Sequence, residues 1–175
     1  MHKKPDVKEL VILSLLGPLL FVVGDLAFEL LPNIHLVGVM LVVITAVYRA
    51  RALYPLYVYV LLNGILGGFS PWWIPYLYVW TVLWAAVMLL PRRVSPRVEI
   101  GLYVAVCAAH GYLFGVLYAP SQLWLLGLDW NGMLAWIAVG LPYDLIHGTA
   151  NLILGVLLIP PLLRVLRRLQ TTGSV

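Results

Sequence analysis

The stretch "GLPYDLIHGTANLILGVLLIPPLLRVLRR", Gly140–Arg168, decides how the rest of the chain is read. Its second half, from Leu152 to Leu163, holds only apolar residues, glycine and proline, and three arginines (Arg164, Arg167 and Arg168) close it. That pattern predicts a membrane-crossing helix with a cationic end at the water interface. Its first half carries Asp144, His147 and Asn151, an i, i+3, i+7 series that falls on one helical face. Ionisable groups at that depth cost about 2.5–3.5 kcal/mol each by insertion scales, and they normally face a protein interior or a wet cavity.

The composition extends the reading to the whole chain. Of 175 residues, 63% are apolar and 10% charged, with a mean hydropathy of +0.99. About a quarter of a soluble domain is charged, so a water-facing surface cannot be built from this sequence. The expected fold class is an all-α integral membrane protein formed by one membrane domain, residues 1–169, with a disordered tail at 170–175. The N-terminal apolar run is too long for a signal peptide and lacks a small-residue cleavage site, so it is read as the first span.

Breakers and charges predict six spans, at about 9–31, 34–48, 52–69, 72–90, 98–118 and 142–163. Residues 119–141 between the last two are expected to form a long outer loop, with a short helix at about 131–140 lying on or dipping into the membrane. All eleven basic residues then fall on one side: Lys3, Lys4 and Lys8, Arg49 and Arg51, Arg92, Arg93 and Arg97, and Arg164, Arg167 and Arg168. By the positive-inside rule both termini are cytoplasmic, as an even number of spans requires.

The acids sort by the same frame. Asp6 and Glu99 lie among the basic residues, whereas Asp25, Glu29, Asp129 and Asp144 lie toward the opposite face. Asp25 and Glu29, at i, i+4, share a helical face. His35, Asn63, His147 and Asn151 belong to the same outer half. Polar groups gathered at one depth predict a cavity open to the outside. The simpler alternative is that Asp144 and His147 pair, or that Asp144 serves helix-terminal amides. In the fourth span Trp72, Tyr76, Trp80 and Trp84 recur every fourth residue. This stripe is about 18 Å long, deeper than an interfacial belt. Trp72, Trp73, Tyr76 and Trp80 are expected to wall a pocket, and Trp84 to pack in the core. The candidate binding residues are therefore Asp25, Glu29, His35, Asn63, Trp72, Trp73, Tyr76, Trp80, Asp144, His147 and Asn151.

Catalytic signatures are missing. The sequence contains no H-E-x-x-H, no G-x-S-x-G and no phosphate-binding glycine loop. Its single cysteine, Cys107, excludes an intramolecular disulfide and a cysteine-based zinc cluster. His35, His110 and His147 are far apart in sequence. No metal, cofactor or nucleotide site is expected, and the chain is not expected to be an enzyme or to use ATP itself.

Three stretches carry a resemblance: "LPNIHLVGVM" at 31–40, "GGFSPWWIPYLYVW" at 67–80, and "GLPYDLIHGTANLILGVLLIPPLLRVLRRL" at 140–169, with its P-x-D-x-x-H-x-x-x-N spacing. Together with six short spans and an outer pocket, the chain resembles the substrate-binding membrane subunits (S components) of energy-coupling factor (ECF) transporters. The resemblance implies three partner subunits: a membrane coupling subunit and two ATPases. It also implies a vitamin or related micronutrient as cargo, captured at a prokaryotic plasma membrane. Many members carry an A-x-x-x-A contact motif in the first span; here that span reads "LVILSLLGPLLFVVG". Acids without a lysine or arginine in the outer half suit a cationic or amine-bearing heteroaromatic compound stacked on Trp72 or Tyr76. Two other readings stay open: a membrane-embedded enzyme or metal-binding protein using Asp144 and His147, and a ligand-free scaffold whose polar residues are structural.

Overall fold

The computed structural model describes residues 7–30 and 33–171, without the side chains of 25–30. The described residues form seven α-helices and no strand. These are α1 (Val7–Leu30), α2 (Val37–Tyr48), α3 (Leu53–Gly67), α4 (Tyr76–Leu89), α5 (Pro96–Tyr112), α6 (Phe114–Leu125) and α7 (Trp130–Thr171). Four helical stretches are long and apolar enough to cross a membrane: Val7–Gly24, Val37–Gly67, Pro96–Leu125 and Trp130–Thr171; Tyr76–Leu89 is a shorter apolar helix. Large apolar side chains face outward along the bundle, among them Leu15, Leu61, Val82, Leu152 and Val156. This is the surface of a multi-pass membrane protein, which lipid tails rather than water cover.

The stretch Val37–Gly67 is not one rod. A 3₁₀ turn at Arg49–Ala52 separates α2 from α3, and Arg49 takes a positive φ of 55°. This reversal is tied to the end of α4: Arg49 Nη2 donates to Met88 O at 2.8 Å, and Trp84 Nε1 donates to Arg49 O at 3.1 Å. The expected core role of Trp84 thus includes a hydrogen bond. Contacts at the two ends fix the helix directions. At the basic end Arg51 pairs with Glu9 of α1, Arg167 of α7 meets Glu99 of α5 at 2.6 Å, and Gln170 Nε2 donates to Val47 O. Glu9 is a third acid among the basic residues, passed over in the sequence reading, which placed only Asp6 and Glu99 there. At the far end Gly24 abuts Val37 and Tyr59, and His110 Nε2 lies 3.1 Å from Val79 O. The chain therefore runs back and forth in six antiparallel arms, with α5 and α6 sharing one of them.

α2 is the hub. All but one of its twelve residues are buried, and it packs against α7, α4, α5 and α1. A helix hydrophobic all round is an interior helix. Its 12 residues span only about 18 Å, short for a bilayer, but its neighbours rather than lipid surround it. Lipid tails are as apolar as leucine, so close packing and interhelical hydrogen bonds must hold such a core together.

Two expectations are corrected. The long outer loop at 119–141 is almost entirely helical. The fifth arm breaks briefly at Leu113 and runs on to Leu125, and α7 begins at Trp130. Only residues 126–129 connect them. Local signals explain this: Gly127 takes the left-handed conformation (φ 64°) after α6, and Asp129 Oδ1 caps α7 by accepting from Gly132 N at 2.7 Å. Pro142, expected at the start of the last span, lies inside α7, and Pro120 lies inside α6, where packing of α6 on α7 holds the chain helical. The tail expected at 170–175 overlaps the end of α7. Gln170 and Thr171 are helical, and residues 172–175 lie outside the described ones.

Candidate functional site

A cavity of about 640 Å³ opens at the end of the bundle away from the arginines. Arg164 and His147 are 17 residues apart on α7, which places the cavity about 25 Å from the basic end. His35, Asn63, Trp72, Tyr76 and His147 all line it, as do Asn33, Tyr59, Phe114 and Tyr118. Asn33 has a positive φ of 63°, a conformation asparagine tolerates better than most residues. It lies in the short connection that brings His35 inward, ahead of α2.

The wall is a ring of rings. Trp72 meets Tyr76 edge-on at 5.5 Å, Tyr76 meets Trp80 at 5.9 Å, and Trp80 meets His35 at 5.9 Å. His35 meets His147 at 4.6 Å, and His147 meets Phe114 at 5.0 Å. Phe114 continues to Tyr118, which stacks on Trp136 at 5.7 Å with only 10° between the planes. Tyr118 also ties two arms together, since its hydroxyl donates to Trp72 O at 2.5 Å. Edge-to-face and offset pairs of this kind contribute about 0.5–1.5 kcal/mol each beyond their buried area.

Several polar atoms beneath this wall lack a hydrogen-bond partner among the described residues: His35 Nδ1, His110 Nδ1, His147 Nε2, Trp80 Nε1 and Asn151 Oδ1. His35 lies in the connection before α2. Burial, and secondarily the neighbouring His110, push its pKa down from 6.5 to about 4, against a small opposing effect of its own backbone. It is therefore a neutral imidazole at pH 7, with one donor and one acceptor nitrogen. No set of three histidine, cysteine, aspartate or glutamate side chains among the described residues is arranged to hold a metal ion.

The remaining candidates lie elsewhere. Trp80 is 1% exposed and sits behind the wall. Trp73 donates from Nε1 to Val60 O at 2.7 Å and packs edge-on against Phe69. Asp144 does not line the cavity. Both its carboxylate oxygens accept from Gly115 N at 3.0 Å, the amide at the second position of α6. The break at Leu113 exposes that amide, and a carboxylate at a helix start is favoured both as an acceptor and by the helix dipole. Asn151 is fully buried below the cavity. It donates to Cys107 O at 3.3 Å and is wedged against Gly38 of α2 and Gly111 of α5, at the crossing where Gly111 abuts Gly148 of α7. Asp25 and Glu29 fall in α1, and their side chains lie outside the described residues.

The sequence reading missed Asn33, Tyr59, Phe114 and Tyr118. Phe114 and Tyr118 stand four apart, one turn beyond His110, and that spacing is the signal that identifies them as one face. Compared with known proteins, the sequence matches no family model and no curated protein, and the fold matches no solved structure.

Proposed function

We propose that this chain is the substrate-binding membrane subunit of an uptake transporter of the energy-coupling factor type. In this reading the six antiparallel arms are six spans and both termini are cytoplasmic. A prokaryotic plasma membrane holds the protein, and a membrane coupling subunit with two ATPases supplies the energy. The observation that carries the proposal is the ring-lined cavity of about 640 Å³ at the end opposite the arginines. Its volume is that of a small-molecule site, apolar walls with a few polar groups that fix orientation. In this reading all eleven lysines and arginines belong to the inner side, so a bound carboxylate or phosphate would have no lysine or arginine beside it, a costly burial. The cargo is a vitamin-like heteroaromatic compound without an anionic group. Asp144 is engaged by Gly115 and contributes nothing to a preference for a cationic cargo.

Two measurements test the proposal. Mass spectrometry of molecules released from gently purified protein should find one small aromatic compound at near-stoichiometric yield. Affinity purification from native membranes should bring down two ATPase chains and a second membrane protein. A ligand-free chain that purifies alone at every detergent condition refutes the transporter reading.

A further inference from the structure

Three helices are too short to cross a bilayer, and their outer ends all meet at the cavity. α2, α3 and α4 have 12, 15 and 14 residues, about 18–22 Å of helix each. Arg49, Arg51 and Arg92 mark their lower ends. Val37, Gly67 and Tyr76, at their upper ends, line the cavity. The hydrocarbon core of a bilayer is about 30 Å thick. With the arginines at one interface, the cavity entrance therefore lies about 10 Å below the other. The connection at 68–75 adds no height. It folds back along α3, where Trp73 Nε1 donates to Val60 O at 2.7 Å and Phe69 lies against Gly64.

The entrance is also apolar. Of the residues that line the cavity, Leu66, Gly67 and Trp72 are the exposed ones, and Ile65 and Phe69 beside them are exposed as well. Residues 52–91, which hold the whole α3–α4 hairpin, contain no charged side chain. The α6–α7 hairpin differs, for it bears Asp129 at its tip. A bilayer thinned to the height of α3 would leave Trp124, Trp130, Leu134 and Val139 of that hairpin, all exposed, in water. Contiguous apolar surface of this kind is covered by lipid or by a partner, so hydrocarbon reaches above the entrance.

Resting on the binding role proposed above, we infer that the cavity opens sideways into the outer leaflet at the end of α3 and takes from it a lipid-soluble aromatic ligand. A water-borne solute would first have to cross the hydrocarbon above the entrance. A compound dissolved in the leaflet meets Leu66 and Trp72 directly and brings its ring to the aromatic wall. The inference narrows the cargo from any non-anionic heteroaromatic compound to one that dissolves in lipid.

The test uses the full-length protein in lipid nanodiscs, in a Cys107→Ala background, with a bimane fluorophore on Leu66→Cys and, as the water-exposed reference, on Leu128→Cys. If Leu66→Cys fails to fold, Ile65→Cys replaces it. Quenching by phosphatidylcholine brominated midway along its acyl chains reports hydrocarbon, and quenching by iodide reports water. The expected result is that bromolipid at least halves the emission at Leu66→Cys while iodide leaves it unchanged, with the reverse at Leu128→Cys. Iodide quenching at Leu66→Cys, or no response there to bromolipid, overturns this inference and leaves the cavity as a site for water-borne cargo. The small molecule released from the native protein should favour octanol over water at least a hundredfold; a hydrophilic one overturns the inference and keeps the binding role. If the entrance lies in hydrocarbon and no small molecule is released, the binding role falls, and the cargo assignment with it.

Discussion

The crossing of α5 and α7 offers the sharpest test of the fold. At Gly111 an added Cβ meets Gly148 Cα at 2.8 Å, Gly148 N at 2.9 Å and Asn151 Nδ2 at 2.8 Å. Two of those three atoms are backbone, so no rotamer change relieves the overlap and the helices must separate. Overpacking of this kind costs about 1–3 kcal/mol. Displacing Asn151 also removes its bond to Cys107 O, worth about 0.5–1.5 kcal/mol. Gly111→Ala should therefore destabilise the protein by about 2–4 kcal/mol, which at about 2–4 °C per kcal/mol for a chain of this size is a fall of roughly 5–15 °C in the thermal midpoint. The chain carries its own reporter: Cys107 is the sole cysteine and is fully buried, so a thiol-reactive fluorogenic maleimide lights up only as the bundle opens. Gly101, on the same helix, is the control, because a Cβ there meets nothing within 4 Å, and Gly101→Ala should be neutral or slightly stabilising by helix propensity. Equal midpoints for Gly111→Ala and Gly101→Ala would refute the close crossing and the place of Asn151 within it.

Other outcomes follow from the same geometry. Asp144→Ala should cost about 1.5–3 kcal/mol, the loss of a charged acceptor from a buried amide, whereas Asp144→Asn keeps an acceptor oxygen and should cost less than half as much in the same thermal assay; the reverse order would argue that the charge serves something other than Gly115. His35 is held neutral, with its pKa lowered from 6.5 to about 4. Between those values the unfolded chain binds the proton and the folded one does not, so stability is complete above pH 6.5 and falls as the pH drops toward 4. The thermal midpoint should be lower at pH 5 than at pH 7.5, and His35→Phe should flatten that dependence; an unchanged slope sinks the assignment. In a Cys107→Ala background, Leu128→Cys should react with an impermeant maleimide from outside right-side-out vesicles and Thr171→Cys only after lysis. Labelling of both from one side contradicts the proposed orientation.

Much of the architecture was legible because lipid imposes simple rules. Basic residues mark one set of helix ends, and the apolar runs between them set the arms. The loop expected at 119–141 is helical because Pro142, which suits a helix start, sits inside α7, and the stop and start signals are those of Gly127 and Asp129. Proline disrupts a helix by removing one donor and by steric clash, yet neighbouring helices make it tolerable inside a bundle. The site was half legible. Period-four spacing found Trp72, Tyr76 and His147, and the outer position found His35 and Asn63. Spacing alone cannot say which side of a polar face meets a void and which meets a backbone amide. Asp144 and Asn151 share a stripe with His147, but a helix break at Leu113 claims the first and a three-glycine crossing claims the second.

The arms around the cavity are unequal in height. α2 begins at Val37 and α3 ends at Gly67, both cavity residues, so on that side the wall stops at the rim. On the other, α7 continues 17 residues beyond His147 to Trp130, about 25 Å further. The vestibule is thus a bowl with a high back and a low front. In the proposed binding role, a ligand would enter and leave by one route, over the low lip formed by residues 33–36 and 67–75. Substitutions on that lip should then change both how fast a ligand arrives and how long it stays, and substitutions on the tall side neither.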